Sequence, residues 1–96
     1  MANAFLNDPA ACGLLGTMYL FGQGVHRDGG KAEYWLTKSA ERGFVSSQSL
    51  LGTMYATGLG VANNPDKATL WLTKAASQGD EKARALLESL PRRKSM

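Results

Sequence analysis

The sequence predicts an all-α solenoid, and three observations support that prediction. The 96-residue chain matches itself when it is shifted by 36 residues, with 17 identities between positions 8–43 and 44–79. Internal repeats of roughly 20–50 residues are typical of solenoids. Each copy contains two segments with apolar residues spaced by three and four, as on one face of an α-helix. No segment alternates with a period of two, so no strand is expected.

The first helix of each copy is predicted from its boundary signals and its apolar stripe. Asp8 is a suitable N-cap, Pro9 fits the first helical position, and the helix is expected to run to about Leu20. It ends before Gly22 and Gly24, because glycine readily adopts a positive φ. The apolar stripes of the two copies are Ala11, Leu14, Leu15 and Met18, then Leu50, Leu51 and Met54.

The second helix of each copy follows a polar cap and ends at a glycine. In the first copy it starts after Asp28, runs to Arg42 and stops at Gly43. In the second copy Asn64 precedes a proline at the helix start, and Gly79 supplies the stop. The stripes are Ala32, Trp35, Leu36, Ser39 and Ala40, then Ala68, Trp71, Leu72, Ala75 and Ala76.

The first helices are expected to form the inner, more buried wall of the solenoid. Gly16 and Gly52 occupy mid-helix positions, where glycine costs about 1 kcal/mol relative to alanine. Because this costly residue occurs twice at one repeat position, we expect close helix approach there. The segments Pro9–Val25 and Gly43–Pro65 contain no charged residue, so the charges of the repeats fall on the second helices and loops.

The ends of the repeat region differ from each other. We divide the chain into a lead 1–7, repeats 8–43 and 44–79, a capping half-repeat 80–90 and a basic tail 91–96. The half-repeat keeps the apolar register, but Glu88 replaces the mid-helix glycine, as suits a terminal cap. No capping helix precedes repeat one, so Ala11, Leu14 and Leu15 are expected to be partly uncovered. Three explanations remain open: a marginal module, a self-associating one, or a piece of a longer array.

The repeated residues resemble the Sel-1-like repeat, a relative of the tetratricopeptide repeat. The first copy carries Leu15-Gly16, Tyr19, Gly22, Gly24-Val25, Lys31-Ala32, Trp35, Lys38-Ser39-Ala40 and Gly43, and the second carries Leu51-Gly52, Tyr55, Gly58, Gly60-Val61, Lys67-Ala68, Trp71, Lys74-Ala75-Ala76 and Gly79. The departures are Ser39 and Ser47 in place of alanine, and a weak helix start at Gly29-Gly30. The resemblance implies a right-handed α/α superhelix whose members act as scaffolds and adaptors.

The net charge of +3 does not predict a nucleic-acid partner. Arg92, Arg93 and Lys94 lie in the tail, which leaves eight basic and eight acidic residues in the rest of the chain. Nucleic-acid binding requires a basic stripe on a folded face, and the repeats have none. We therefore expect no nucleic-acid partner.

No catalytic, cofactor-binding or metal-binding residue is predicted. His26 has no second histidine as a partner, and Cys12, expected to be partly exposed, has no nearby base in sequence. The loops at Gly22-Gln23-Gly24 and Gly58-Leu59-Gly60 lack the preceding strand and third glycine of a dinucleotide site. The acidic residues form no close pair within an apolar stretch.

The aromatic residues that recur at the repeat spacing are interpreted as packing residues rather than as a platform for bases or sugars. These are Tyr19, Tyr55, Trp35 and Trp71.

The inner face of the first helices is the predicted binding surface. Opposite the apolar stripes lie small or neutral residues: Gly13, Thr17, Leu20, Ser49, Thr53, Ala56, Ala85 and Ser89. Phe21 and Phe44 break the repeat symmetry and are candidate exposed aromatic anchors. A groove of this kind suits an extended or helical peptide.

The sequence therefore predicts a non-catalytic protein-interaction module that binds another protein or peptide without a cofactor. The alternative is a self-assembling unit that forms homo-oligomers through exposed repeat ends, or a fragment of a longer repeat protein. No membrane span is expected, since segment 43–65 contains serines, glycines and asparagines. A cytoplasmic location is expected from the missing signal peptide and the single cysteine.

Overall fold

The predicted all-α solenoid of two helix pairs and a final helix is confirmed. A computed structural model describes residues 7–90, so the lead 1–6 and the basic tail 91–96 lie outside the described residues. Within 7–90 there are five helices and no strand. They are α1 (Pro9–Phe21), α2 (Gly29–Glu41), α3 (Val45–Thr57), α4 (Pro65–Ser77) and α5 (Glu81–Ser89).

Side-chain caps fix four of the five helix starts, and three of these caps were predicted: Asp8, Asp28 and Asn64. The caps are Asp8, Asp28, Asn64 and Asp80. The Asp28 carboxylate accepts the Lys31 N–H at 3.0 Å, and Asn64 Oδ1 accepts the Lys67 N–H at 3.1 Å. These bonds satisfy backbone donors that have no partner within the helix. Phe44, at the start of α3, offers no such acceptor.

Left-handed glycines end the first helix of each repeat, as predicted. Gly22 has φ of 71° and Gly58 has φ of 78°, a region that favours glycine. The following loop is tied back by the Asp28 N–H, which donates to the Tyr19 carbonyl at 2.9 Å. The second repeat has the same backbone bond at 2.8 Å. The two helices of each repeat are therefore joined by loops with the same backbone ties.

The predicted close approach at the mid-helix glycines is confirmed. A Cβ on Gly16 would lie 2.6 Å from Leu36 Cγ and 3.0 Å from the Leu36 backbone nitrogen. A Cβ on Gly52 would lie 2.6 Å and 3.2 Å from the same atoms of Leu72. Both leucines are completely buried. The second helix of each pair thus packs directly on the bare backbone of the first.

The serines that replace alanine are hydrogen-bonded to each other across the junction between the repeats. Ser39 Oγ lies 2.6 Å from Ser47 Oγ and donates to the Pro9 carbonyl at 2.7 Å. Because Ser39 uses its proton on Pro9, Ser47 is the donor in the serine pair. The register equivalents at the next junction are the buried Ala75 and Ala83. The two departures therefore compensate each other.

The expectation that Cys12 is partly exposed is wrong, because its side chain is only 3% exposed. The equivalent Gln48 is also buried, and its amide nitrogen donates to the Ala40 carbonyl at 3.1 Å. Its Oε1 accepts a bond from the Gln78 amide at 2.8 Å. Gln48 is therefore tolerated at a buried site because its side-chain atoms are hydrogen-bonded, rather than because it faces solvent.

The glycine pair at the start of α2 consists of one constrained and one unconstrained residue. A Cβ on Gly29 would lie 1.8 Å from the Gly60 carbonyl oxygen, so the loop of repeat two passes directly over this residue. A Cβ on Gly30 would meet nothing closer than Asp28 Oδ1 at 3.4 Å, which is an ordinary contact. Of the two glycines that weaken the start of α2, only Gly29 is thus required by packing.

We predict opposite effects for the same substitution at these neighbouring positions. Gly29→Ala should lower the free energy of unfolding by about 1–3 kcal/mol, because backbone must move to admit the methyl group. Gly30→Ala should leave stability unchanged or raise it by up to about 1 kcal/mol, because alanine restricts the unfolded chain. Urea unfolding of both variants checks this, and equal midpoints would contradict the described contact with Gly60.

Candidate functional site

A groove between α1 and α3 lies on the predicted inner face. We call it the inner groove; its volume is about 280 Å³. It is lined by Ala10, Gly13, Leu14, Thr17, Leu36, Phe44, Ser46, Ser47 and Leu50. The Leu14 side chain is 60% exposed, the largest exposure among the exposed large apolar residues of 7–90. This surface thus presents an exposed apolar side chain, Leu14, beside a concave site, as interaction sites commonly do.

The inner groove carries no charge. None of its lining residues is ionisable, and α1 and α3 contain no Asp, Glu, Lys, Arg or His. The hydroxyl of Thr17 donates to the Gly13 carbonyl at 2.8 Å, and that of Thr53 donates to the Ser49 carbonyl at 2.9 Å. Both hydroxyl protons are thus used within the helices, so the hydroxyl oxygen of Thr17, which lines the groove, is left to act as an acceptor.

The structure brings only some of the predicted site residues together. Gly13, Thr17 and Phe44 line the inner groove. The predicted residues of α3 are half-buried, and those of α5 are exposed: Ser49, Thr53 and Ala56, then Ala85 and Ser89. Their role in binding stays a prediction.

The expectation that Leu20 lies on the open inner surface is wrong. Leu20 is 1% exposed, and its Cδ1 would lie 2.7 Å from a Cβ on Gly60. The cause is helical phase: Leu20 follows Gly16 by four residues and therefore lies on the face that packs inward. Gly13 precedes Gly16 by three residues and is buried for the same reason, so it forms the floor of the inner groove.

The two phenylalanines predicted as exposed anchors differ in environment. Phe21 is 47% exposed, as expected, but does not line the inner groove. Phe44 was also expected to be exposed, and it is instead half-buried. Its Cδ2 lies 3.6 Å from where a Cβ on Gly13 would be, so the ring packs over this glycine. Phe44 therefore supplies packing at the N-cap of α3, where no side-chain hydrogen bond exists.

Leu14, which the sequence pattern places in the apolar stripe of α1, is a groove residue that was not predicted. Its exposure is toward the inner groove, where Leu50 from the next repeat also lies, rather than only at an uncovered N-terminal end. A usable signal was present in the sequence. Leu14 and Gly16 are two residues apart, so they point to opposite sides of a helix and cannot both face α2.

A second groove, not predicted from the sequence, lies between α2 and α4. We call it the outer groove; its volume is about 590 Å³. It is lined by Gly30, Glu33, Tyr34, Thr37, Lys38, Glu41, Tyr55, Lys67, Leu70 and Trp71. Tyr34 is 57% exposed and Leu70 is 50% exposed. These two residues occupy the same repeat position, which was a signal for an exposed apolar position on the second helices.

Tyr55 forms the floor of the outer groove and links the two repeats. Its hydroxyl donates to the Glu33 carboxylate, and Lys67 Nζ lies 5.3 Å from the centre of its ring. Burial raises the pKa of the Tyr55 phenol well above its ordinary value, and the bond to Glu33 and that residue's negative charge raise it further. Glu33 and Lys67 are thus both engaged by one buried tyrosine.

The interpretation of the recurring aromatic residues as packing residues agrees with their burial in the second repeat. Tyr55 is 5% exposed and Trp71 is 9% exposed. Their equivalents Tyr19 and Trp35 are half-buried. Trp35 packs edge-to-face against Tyr34, with 5.1 Å between the ring centres.

The described part of the chain provides neither a metal-binding cluster nor a membrane-spanning helix. Within residues 7–90, no three His, Cys, Asp or Glu side chains come together in a way that could hold a metal ion. None of the five described helices has the length and apolar character needed to cross a bilayer.

The fold and grooves define an α-helical repeat protein, and comparisons with known proteins give its family. The Sel1 repeat family model matches residues 9–44 and 45–80. The chain therefore belongs to the Sel1 repeat family, and Sel1 repeats are generally protein-interaction modules. A search of the curated proteins finds no match.

Solved structures of this family are similar to the chain. A Sel1 repeat protein from Oxalobacter formigenes is 40% identical with a TM-score of 0.79, and the match covers 85% of this chain and 62% of that one. The protein c5321, a protective antigen of uropathogenic Escherichia coli strains with an SLR fold, is 32% identical with a TM-score of 0.79. That match covers 83% of this chain and 17% of c5321. The chain thus spans less than two thirds of either protein.

The environment of Tyr55 predicts how stability changes at alkaline pH. The raised pKa means that the folded state favours the protonated phenol, so this contribution is complete below about pH 10 and is lost as pH rises further. Glu33→Gln should lower the pKa of Tyr55 but leave it above the ordinary value, because burial is the largest cause. Tyrosinate absorbance during alkaline titration measures this. Tyr55→Phe is the control and should remove the part of the absorbance change that occurs at the highest pH. If that part is unchanged in Tyr55→Phe, the raised pKa does not belong to Tyr55.

Proposed function

We propose that this chain is a non-catalytic adaptor or regulatory binding module that holds a protein or peptide in the inner groove. The observation that carries the proposal is the 60% exposed Leu14 beside an uncharged concave site formed by two successive first helices. When a partner covers an exposed leucine next to a groove, binding becomes more favourable by about 25 cal/mol per Å² of apolar surface removed from water.

Family membership supports the general part of this proposal. Sel1 repeat proteins are typically non-catalytic scaffolds, and their repeats generally mediate protein–protein interactions. The proposal adds the face that binds. A cytoplasmic location stays a prediction from the sequence.

We predict that arginine at the repeated threonines of the inner face abolishes partner capture. Thr17→Arg combined with Thr53→Arg places two long cations on the uncharged face, where burying a charge without a partner is unfavourable. Immobilised wild-type chain should capture a partner from native lysate that the double variant does not capture. Mass spectrometry of the bound fractions is the measurement.

The chain supplies a matched control for this experiment. Thr37 and Thr73 form the equivalent repeated pair on the second helices, and Thr37 lines the outer groove. Thr37→Arg combined with Thr73→Arg should leave capture intact. Circular dichroism melting must show that both double variants are folded. Capture lost only in the Thr37 and Thr73 variant would assign binding to the outer groove and overturn the proposal.

Self-assembly through the end of the solenoid is the competing function, and one observation favours it. Leu87 and Leu90 of α5 are half-buried, whereas their equivalents in repeat two, Leu51 and Met54, are fully buried. This end of the core therefore keeps apolar surface that a second copy could cover. The adaptor proposal instead expects that the chain stays monomeric.

We predict that the purified chain is monomeric. Light scattering at high micromolar concentration should give a mass near 10.3 kDa. A larger, concentration-dependent mass that Leu87→Asp returns to the monomer value would support assembly through α5 instead. Leu70→Asp, on the exposed outer face, is the control substitution.

A further inference from the structure

The inner face continues beyond the inner groove onto α5. The residues of α1 that line the groove are Ala10, Gly13, Leu14 and Thr17, and their register equivalents are Ser46, Ser49, Leu50 and Thr53 on α3, then Lys82, Ala85, Leu86 and Ser89 on α5. Burial supports this register, since the equivalent residues Ala11, Ser47 and Ala83 are all buried. Contacts between α3 and α5 place the two helices side by side.

Lys82 is the only ionisable residue at these twelve inner-face positions within the described chain. Its side chain is exposed and lies in the first turn of α5. The inner face is therefore uncharged along α1 and α3 and carries one cation on α5. Leucines occupy one position on all three helices: Leu14, Leu50 and Leu86.

We propose that the inner groove takes an uncharged, leucine-rich peptide segment that has a single carboxylate at the end facing Lys82. This inference rests on the proposed function and adds the chemistry of the partner. The uncharged groove selects against charged segments, because a buried charge without a partner is costly. The exposed cation sets the direction in which the segment lies, since a rim charge contributes more to orientation than to affinity.

The charges of the outer groove, unlike those of the inner face, do not indicate the charge of a partner. Both signs are present on its walls, in Glu33, Glu41, Lys38 and Lys67. Glu33 and Lys67 already contact Tyr55, as described above. Its charges therefore do not favour one class of partner.

A displayed library of random peptides tests the proposal without knowledge of the natural partner. Selection on the wild-type chain should enrich peptides with leucine-like residues and an Asp or Glu near one end. Selection on Lys82→Glu should enrich Lys or Arg at that same place. This variant should fold, because a glutamate in the first turn of a helix is favourable. Lys38→Glu, in the outer groove, is the matched control and should select the wild-type motif.

Affinities of one selected peptide make the test quantitative. Lys82→Glu should weaken its binding by roughly fivefold, as expected for an exposed ion pair, and exchanging the peptide's acidic residue for lysine should restore it. Leu14→Asp should weaken binding by about tenfold or more. Libraries with a free carboxyl terminus and libraries with flanked peptides distinguish a terminal carboxylate from an acidic side chain.

The possible failures separate this proposal from the broader function. If no peptide is enriched, if no acidic residue is selected, or if the acidic preference persists in Lys82→Glu, the proposed ligand chemistry is overturned. If lysate capture still depends on Thr17 and Thr53 in that case, the protein-binding function stands and only the chemistry fails. If capture ignores those threonines, the inner groove itself is the wrong site.

Discussion

The packing of a leucine on a bare glycine determines the rotation of the first helices, and the rest of the structure follows from it. Leu36 lies against Gly16, and Leu72 lies against Gly52, at distances that leave no room for a Cβ. A helix advances about 100° per residue, so residues three or four positions from such a glycine also face inward. Cys12 and Leu20, each four residues from Gly16, are buried as a result.

The same rotation places Leu14 on the opposite side of α1. It lies two residues before Gly16, which corresponds to about 200° of helical rotation. Large apolar side chains are therefore a poor guide to the core side of α1, because a stripe drawn through Leu14 is rotated from the face that packs. Gly16, which is expected at a close helix contact, is the residue that sets the phase of the helix. That phase predicts both the burial of Cys12 and the position of Leu14 on the side of α1 away from α2.

Helix boundaries and repeat architecture were predictable because their signals are local, whereas contacts between repeats were not. Asp28 and its following loop can be identified within a few residues of sequence. Ser39 and Ser47, in contrast, belong to different repeats, and each alone reads as an unexplained departure from alanine. Gly13 and Phe44 are a second such pair. Departures from a repeat are thus most informative when they are considered together, since a change in one copy can accommodate a change in the next.

The two faces of the solenoid use charge differently, and this difference bears on where a partner binds. On the second helices, lysines lie over tyrosine rings at the same repeat position: Lys31 Nζ is 5.4 Å from the Tyr19 ring centre, and Lys67 Nζ is 5.3 Å from that of Tyr55. Such contacts contribute to packing within each repeat. The first helices of both repeats have no charge to hold in this way. A partner on the inner face therefore meets apolar surface first, and Lys82, which breaks the repeat, is the residue that can give its binding a direction.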